Sequence, residues 1–287
     1  MQANPHSSAT KIIEVSEYDS SWPISFLAEE LLIKESLGAL CLNVLHVGST
    51  SVPGLLAKPI IDMILVIPKE TNTQILDEAL TLVGYGFKGY YNLPFRRMYA
   101  KRGTLKFNLH VHEVGRAEID LNIKFRDYLR AHPNACLEYA KLKKSILNED
   151  PHHVKSANGI PTYNLNKNAF ILSILDKANF TGTCLRFCTP NIEWEAYHQI
   201  KKLTLEAKQE GSFITQHSSH LADSTKHFVL SKGTKIVAAA AIELDLSHAT
   251  IQFVGSNIDA PSEKNTIISE LRELLEVWLK RNGYSKA

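Results

Sequence analysis

The stretch that most constrains this chain lies between His46 and Ile67. A short apolar run leads into the turn Gly48-Ser49-Thr50-Ser51-Val52-Pro53-Gly54, and the strongly apolar segment 60–67 follows with one acid inside it, Asp62. A run that apolar reads as a strand buried on both faces and therefore central in a sheet, with 42–47 as a neighbouring strand. A carboxylate in such a strand is costly unless it is paired, hydrogen-bonded or bound to a cation. Gly48 permits close backbone approach, and Ser49, Thr50 and Ser51 offer hydroxyls to an anion. Lys58 adds a positive charge between turn and acid. The pattern predicts a phosphate-and-metal site built on an α/β sheet.

The rest of the chain supports that class. Residues 22–37 have helical periodicity, with Trp22, Phe26, Leu27, Leu31 and Leu32 apolar and Glu29, Glu30, Lys34 and Glu35 polar. Residues 73–83 read as a helix closed by Gly84 and Gly86. The segments 87–91, 96–100 and 105–113 read as an antiparallel meander, turned once at Arg102-Gly103-Thr104. From Arg116 the period becomes helical over 117–130, 134–147 and 163–180, with a polar loop at 151–161. A second segment begins near Cys184: a helix at 193–206, a polar loop at 211–225, strands at 227–230, 236–244 and 250–254, and an amphipathic helix at 267–281. The expected organisation is a flexible start (1–11), a first domain (12–182) and a second (183–287).

Length and composition bound the function. The 287 residues suffice for two domains, and 44% hydrophobic with 22% charged content describes a globular chain with a real core. A net charge of +2 with no polybasic block gives no strong nucleic-acid or membrane signal. No apolar run approaches the roughly 20 residues of a membrane helix, and the start lacks a signal-peptide core, so the expected compartment is the cytoplasm. Cys41, Cys136, Cys184 and Cys188 fit neither a metal pair nor a secreted disulfide framework and are expected to be reduced thiols.

The Gly-Ser pair followed by a strand-borne Asp resembles the nucleotidyltransferase superfamily, and the longer string His46 to Val66 resembles the GrpB (UPF0157) family. Further segments extend the resemblance over roughly residues 12–182. They are Tyr18-Asp19-Ser20-Ser21-Trp22-Pro23, Arg96-Arg97, Leu109-His110-Val111-His112, Phe125 to Pro133, Tyr139, Leu142-Lys143, Tyr163 and Lys167 to Phe170. It implies a nucleotidyltransferase-like mixed sheet with flanking helices, a bound nucleotide or phosphorylated small molecule, and nucleotidyl transfer as one expected activity.

On that resemblance, Asp62 and Lys58 are the candidate catalytic residues. Gly48, Ser49, Thr50, Ser51, Arg96 and Arg97 are the candidate phosphate ligands, and His46, Tyr163 and Lys167 line the substrate pocket. The loop is not a Walker A motif, because the spacing from Gly48 through Gly54 to Lys58 does not fit. The chain departs from the superfamily where a second acid is usual, since that position is Ile64. His110 and His112, two apart and so on one strand face, could join Asp62 in a mixed carboxylate–imidazole site. Such a set favours Mn²⁺ or Zn²⁺ over Mg²⁺. The structural alternatives stand beside these roles: the turn as a mere turn, Asp62 as half of an ion pair, both histidines as hydrogen-bonded strand residues, and Arg126, Asp127 and Arg130 as a structural network.

The order of elements in 183–287 resembles the first part of a GNAT acetyltransferase. The glycines that cradle acetyl-CoA in that family are absent near Glu263-Lys264-Asn265-Thr266, so acetyl-CoA is not the expected cofactor and acetyl transfer is a rival reading. A truncated sheet of this kind would pack on the first domain or on a second copy of the chain. A non-catalytic binding or chaperone-like module is the other rival, favoured by Ile64.

Overall fold

A computed structural model describes residues 12–152, 162–188, 192–206 and 224–286. The expected N-terminal tail and most of the loops at 151–161 and 211–225 lie outside the described residues. The chain divides into two compact units, and the division is not a single cut near 182. The first comprises residues up to Gly89, Arg97–Gly115 and Ile119–Ala178, and the second comprises Tyr90–Arg96, Arg116–Glu118 and everything from Asn179.

In the first unit, β1 (Asn43–Val47), β2 (Ile61–Ile67), β3 (Gly86–Gly89), β4 (Arg97–Arg102) and β5 (Lys106–Glu113) form one sheet in the order β1-β2-β5-β4-β3. β2 pairs parallel with β5 and antiparallel with β1, so the most apolar strand is central, as its composition requires. The β3–β4–β5 meander is antiparallel, as expected. Helices α1 (Trp22–Leu37) and α2 (Thr73–Leu82) cover one face, burying Ile33, Leu37, Leu76 and Leu80 against Met63, Leu65, Tyr99 and Leu109. The side chains of Asp62, Ile64 and Val66 alternate onto the other face, where Ile64 and Val66 meet Val47 and Ile119.

Helix α3 (Ala117–Ala131) carries Ile119, and α4 (Pro133–Glu149), α5 (Thr162–Leu165) and α6 (Asn168–Lys177) complete this unit. Leu129, Tyr139 and Ile174 pack with Val52 and Leu55, the two apolar residues that follow the polar turn. The single helix expected over 163–180 is broken at Asn166-Lys167, which leaves Lys167 as the N-cap residue of α6.

The second unit has its own five-stranded sheet: β6 (Thr183–Phe187), β7 (Thr225–Lys232), β8 (Lys235–Asp245), β9 (His248–Ser256) and β10 (Ser285–Lys286), in the order β10-β9-β8-β7-β6. All neighbours are antiparallel except β10 with β9. Helix α7 (Ile192–Glu206) packs Tyr197 and Ile200 on one face, and α8 (Pro261–Arg281) packs Leu271, Leu275 and Trp278 on the other. The alanine run Ala238–Ala241 in β8 keeps side chains short on both faces. Phe95 is part of the α8-side core, with the Arg116 guanidinium 3.7 Å from its ring centroid. All four cysteines are free, and burial pushes the Cys184 and Cys188 thiols up to about 12. No helix among the described residues is long and apolar enough to cross a membrane.

One ion pair ties α1 to the sheet. Lys101 Nζ of β4 donates to both oxygens of buried Glu29, at 2.8 and 3.0 Å. Glu29→Ala leaves the half-buried ammonium unmatched and is expected to lower unfolding free energy by about 2–3 kcal/mol in a urea titration. Adding Lys101→Met should restore part of that loss.

Candidate functional site

The turn and the acid are built against each other. The register sets Val47 opposite Asp62, so the next residue, Gly48, passes directly over the carboxylate. A Cβ at Gly48 would sit 2.6 Å from Asp62 Oδ2, and φ is +70°. Only glycine satisfies both conditions. A single 3-10 turn, Ser49–Ser51, follows, and the first N–H groups of such a turn have no partner within it. Helix α3 holds the turn by its carbonyls: Arg130 donates to Ser51 O from Nε (2.9 Å) and Nη2 (2.6 Å), and Arg126 Nη1 donates to His46 O at 2.9 Å.

Around this turn stand one carboxylate and three ammonium groups. Asp62 is half-buried; Oδ1 accepts from Asn108 Nδ2 at 2.8 Å and lies 3.8 Å from His110 Nε2. Burial works to raise its pKa, but His110, Asn108 and the Lys167 charge outweigh that effect and hold the carboxyl below its usual range. Lys143 of α4 is only 2% exposed; its Nζ donates to Ser49 Oγ at 3.1 Å and to Leu56 O, and lies 4.6 Å from the Tyr139 ring centroid. Burial, helped by the charge on Lys167, lowers its pKa to about 7. Lys58 and Lys167 share the ring of buried Tyr163, with Nζ 4.4 and 4.2 Å from its centroid. Burial and the neighbouring Lys58 lower Lys167 to about 8 against the pull of Asp62, and burial likewise lowers Lys58.

Gly48, Ser49, Lys58, Asp62, His110, Tyr163 and Lys167 thus fall in one neighbourhood, while six expected residues do not. His46 alternates to the opposite face from Asp62, where it stacks on Phe26 and lies 3.0 Å from Thr50 Oγ1. Burial lowers its pKa to about 4, so it is a neutral brace rather than a pocket residue. The Thr50 hydroxyl is engaged in that contact, and Ser51 Oγ donates to Gly48 O at 2.6 Å. Both hydroxyls therefore shape the turn and are not presented to an anion. Arg97 also lies on the α2 side of the sheet, bound to both Asp77 oxygens at 2.6 and 2.7 Å and donating to Tyr99 Oη at 2.8 Å. Arg96 belongs to the second unit, where it donates to Tyr90 O. Burial lowers its guanidinium to about 10, against the pull of Tyr91 and Glu118.

The expected metal triad is not assembled. His112 faces Val66, four residues along β2 from Asp62, or roughly 13 Å at ~3.3 Å per residue. Among the described residues no three His, Cys, Asp or Glu side chains come together to hold a metal. One carboxylate beside an imidazole, with lysines around it, is a poor donor set for a divalent ion held by protein side chains alone.

Two contributors were not among the expected site residues. Asn108 sits two residues before His110 on the same strand face and directly opposite Asp62. Lys143 lies four residues after Tyr139, on the buried face of α4. An i, i+4 aromatic–lysine pair on a helix was the available signal.

The GrpB protein family model matches residues 12–177. The UPF0157 protein YqkA of Bacillus subtilis is 36% identical over 143 residues, which are 50% of this chain and 42% of that protein, so this chain spans less than half of its length. A UPF0157 protein of Halalkalibacterium halodurans is 34% identical over 180 residues, 63% of this chain and 88% of the relative. The crystal structure of conserved protein GrpB from Enterococcus faecalis matches with a TM-score of 0.50 and 32% identity, covering 57% of this chain and 96% of that one.

Gly48→Ala should lower unfolding free energy by about 2–4 kcal/mol in chemical denaturation, because a Cβ meets Asp62 in a strained conformation. Lys143 gives a pH signature. Between about 7 and its ordinary value of 10.5, the unfolded chain holds a proton on this lysine that the folded chain releases. Stability from this group therefore rises with pH across that window. Relative to Lys143→Met, the parent protein should gain stability between pH 7 and 10, read from paired urea titrations.

Proposed function

The chain belongs to the GrpB family, and from that premise we propose that its first unit binds a phosphorylated small molecule, a nucleotide foremost, against the Gly48-Ser49 turn. One observation carries the reading. Three lysines of lowered pKa, one of them buried, are gathered where a single carboxylate stands, and their charges act on one another. Gathering like charges away from water is unfavourable for the protein alone and favourable once an anion joins them. The Ser49 hydroxyl and the first N–H groups of its turn supply directional donors beside that charge.

Binding to this set favours the protonated lysines, so affinity should fall as pH rises from 7 to 9. Calorimetry with ATP and pyrophosphate is the test. Lys143→Met and Lys167→Met should each weaken binding by tenfold or more, and unchanged affinity in both variants would remove the proposal.

Nucleotidyl transfer is a second reading, favoured by the position of Asp62 directly beneath the Gly-Ser turn. Release of pyrophosphate from an NTP, lost in Asp62→Asn, would support it. For the second unit, the order of strands and helices supports a GNAT-like origin without acetyl-CoA. The segment entering α8, Asn257 to Ala260, holds no glycine, and Glu263 occupies the first turn, 3.8 Å from Lys232 Nζ. Acetyl-CoA at millimolar concentration should leave the melting temperature unchanged.

A further inference from the structure

We propose that the site takes two or more linked phosphates on Lys58, Lys143 and Lys167 themselves, so that ligand binding needs no divalent cation. This rests on the phosphate-binding reading above and adds the class of ligand and the means of neutralising it.

The donor inventory leads there. A magnesium or manganese ion bound with a polyphosphate takes one or two carboxylates and fills its remaining positions with phosphate and water oxygens. Here the one carboxylate has Oδ1 occupied by the Asn108 amide and Oδ2 under the Gly48 backbone. The second acid such a site would use is replaced by Ile64, whose side chain is fully buried. A dication placed beside Asp62 would also meet the repulsion of Lys58 and Lys167, both close enough to feel the Asp62 charge.

An anion meets the reverse. Lys143 is held on Ser49 by the Leu56 carbonyl and needs no rearrangement to face a ligand at the turn. Lys58 and Lys167 are steadied on the Tyr163 ring, and Lys167 Nζ also donates to the neutral Asn164 Oδ1 at 3.1 Å, so these contacts hold the ammonium groups without cancelling their charge. When an anion favours their protonated forms, these three lysines outnumber the one carboxylate that faces them. Lys143 is anchored at Ser49 and Tyr139, and Lys58 with Lys167 at Tyr163, so a linked pair supplies one phosphate to each of two separately anchored sets where a single phosphate engages one. Asp62 in this scheme repels misplaced phosphate oxygens and offsets part of the repulsion between Lys58 and Lys167.

The full chain is titrated calorimetrically with pyrophosphate, ATP and orthophosphate, once with EDTA and once with excess Mg²⁺. The expected result is pyrophosphate or ATP binding in EDTA that is equal to or tighter than in Mg²⁺, with orthophosphate at least tenfold weaker. Tighter binding of ATP than of pyrophosphate assigns a nucleotide, and the reverse an inorganic chain; both support the inference. Asp62→Asn separates the two electrostatic schemes, with folding checked by its melting curve. The lysine scheme expects affinity in EDTA to be kept or to rise, and a metal-held ligand expects affinity in Mg²⁺ to be lost. Should Asp62→Asn not fold, Lys58→Met and Lys167→Met replace it, each expected to weaken binding in EDTA about tenfold. Binding that appears only with Mg²⁺ overturns this inference while leaving the phosphate-binding reading intact. No binding under either condition removes both.

Discussion

The close passage of Gly48 over Asp62 is the constraint on which the rest of the first unit depends. A carboxylate in a central strand has to be met by something, and here it is met on one side by an amide and on the other by bare backbone. The turn can lie that low only without a side chain. Once it does, its carbonyls point toward α3, where Arg126 and Arg130 take them, and its serine points toward α4, where Lys143 takes it. Two helices are thus positioned by one polar turn rather than by apolar contact alone. Val52 and Leu55, immediately after the turn, then give the same helices their hydrophobic footing.

The cations are kept in place by aromatic faces and neutral oxygens rather than by acids. Tyr163 serves two lysines, and Tyr139 serves the third while itself stacking on Phe170 with centroids 5.0 Å apart. A ring steadies an ammonium without neutralising it. This separates the site from the opposite face of the same sheet, where Arg97 with Asp77 and Lys101 with Glu29 form matched ion pairs. One face of the sheet balances its charges internally, and the other leaves positive charge available to a ligand.

What could be read from sequence followed from locality. Gly48, Ser49, Lys58 and Asp62 lie within fifteen residues, and both strand boundaries and turn chemistry were visible there. The failures share a physical cause, which is that pairing register is set by partners remote in sequence. His46 and Arg97 carry suitable chemistry but point to the wrong face, a matter of parity that no local pattern states. His112 has the right parity and stands too far along the strand. Arg96 is drawn away by a core assembled from residues beyond 179. Lys143 is separated from Ser49 by 94 residues and enters the site only because Tyr139 and Ile146 bury the same face of α4. Strand β6 was missed for a related reason: its five residues mix threonine, cysteine and arginine, and only pairing with β7 makes it a strand.

The second unit draws two short segments from the middle of the chain, and this has a consequence for synthesis on the ribosome. Phe95 emerges early, yet the side chains that cover it, including Trp278 and Leu279, are made last. At roughly 5–20 residues per second, that aromatic ring waits about ten to forty seconds for its partners. During this interval the nascent chain carries an uncovered aromatic anchor at Phe95. The core of the second unit closes on it only after translation has reached α8.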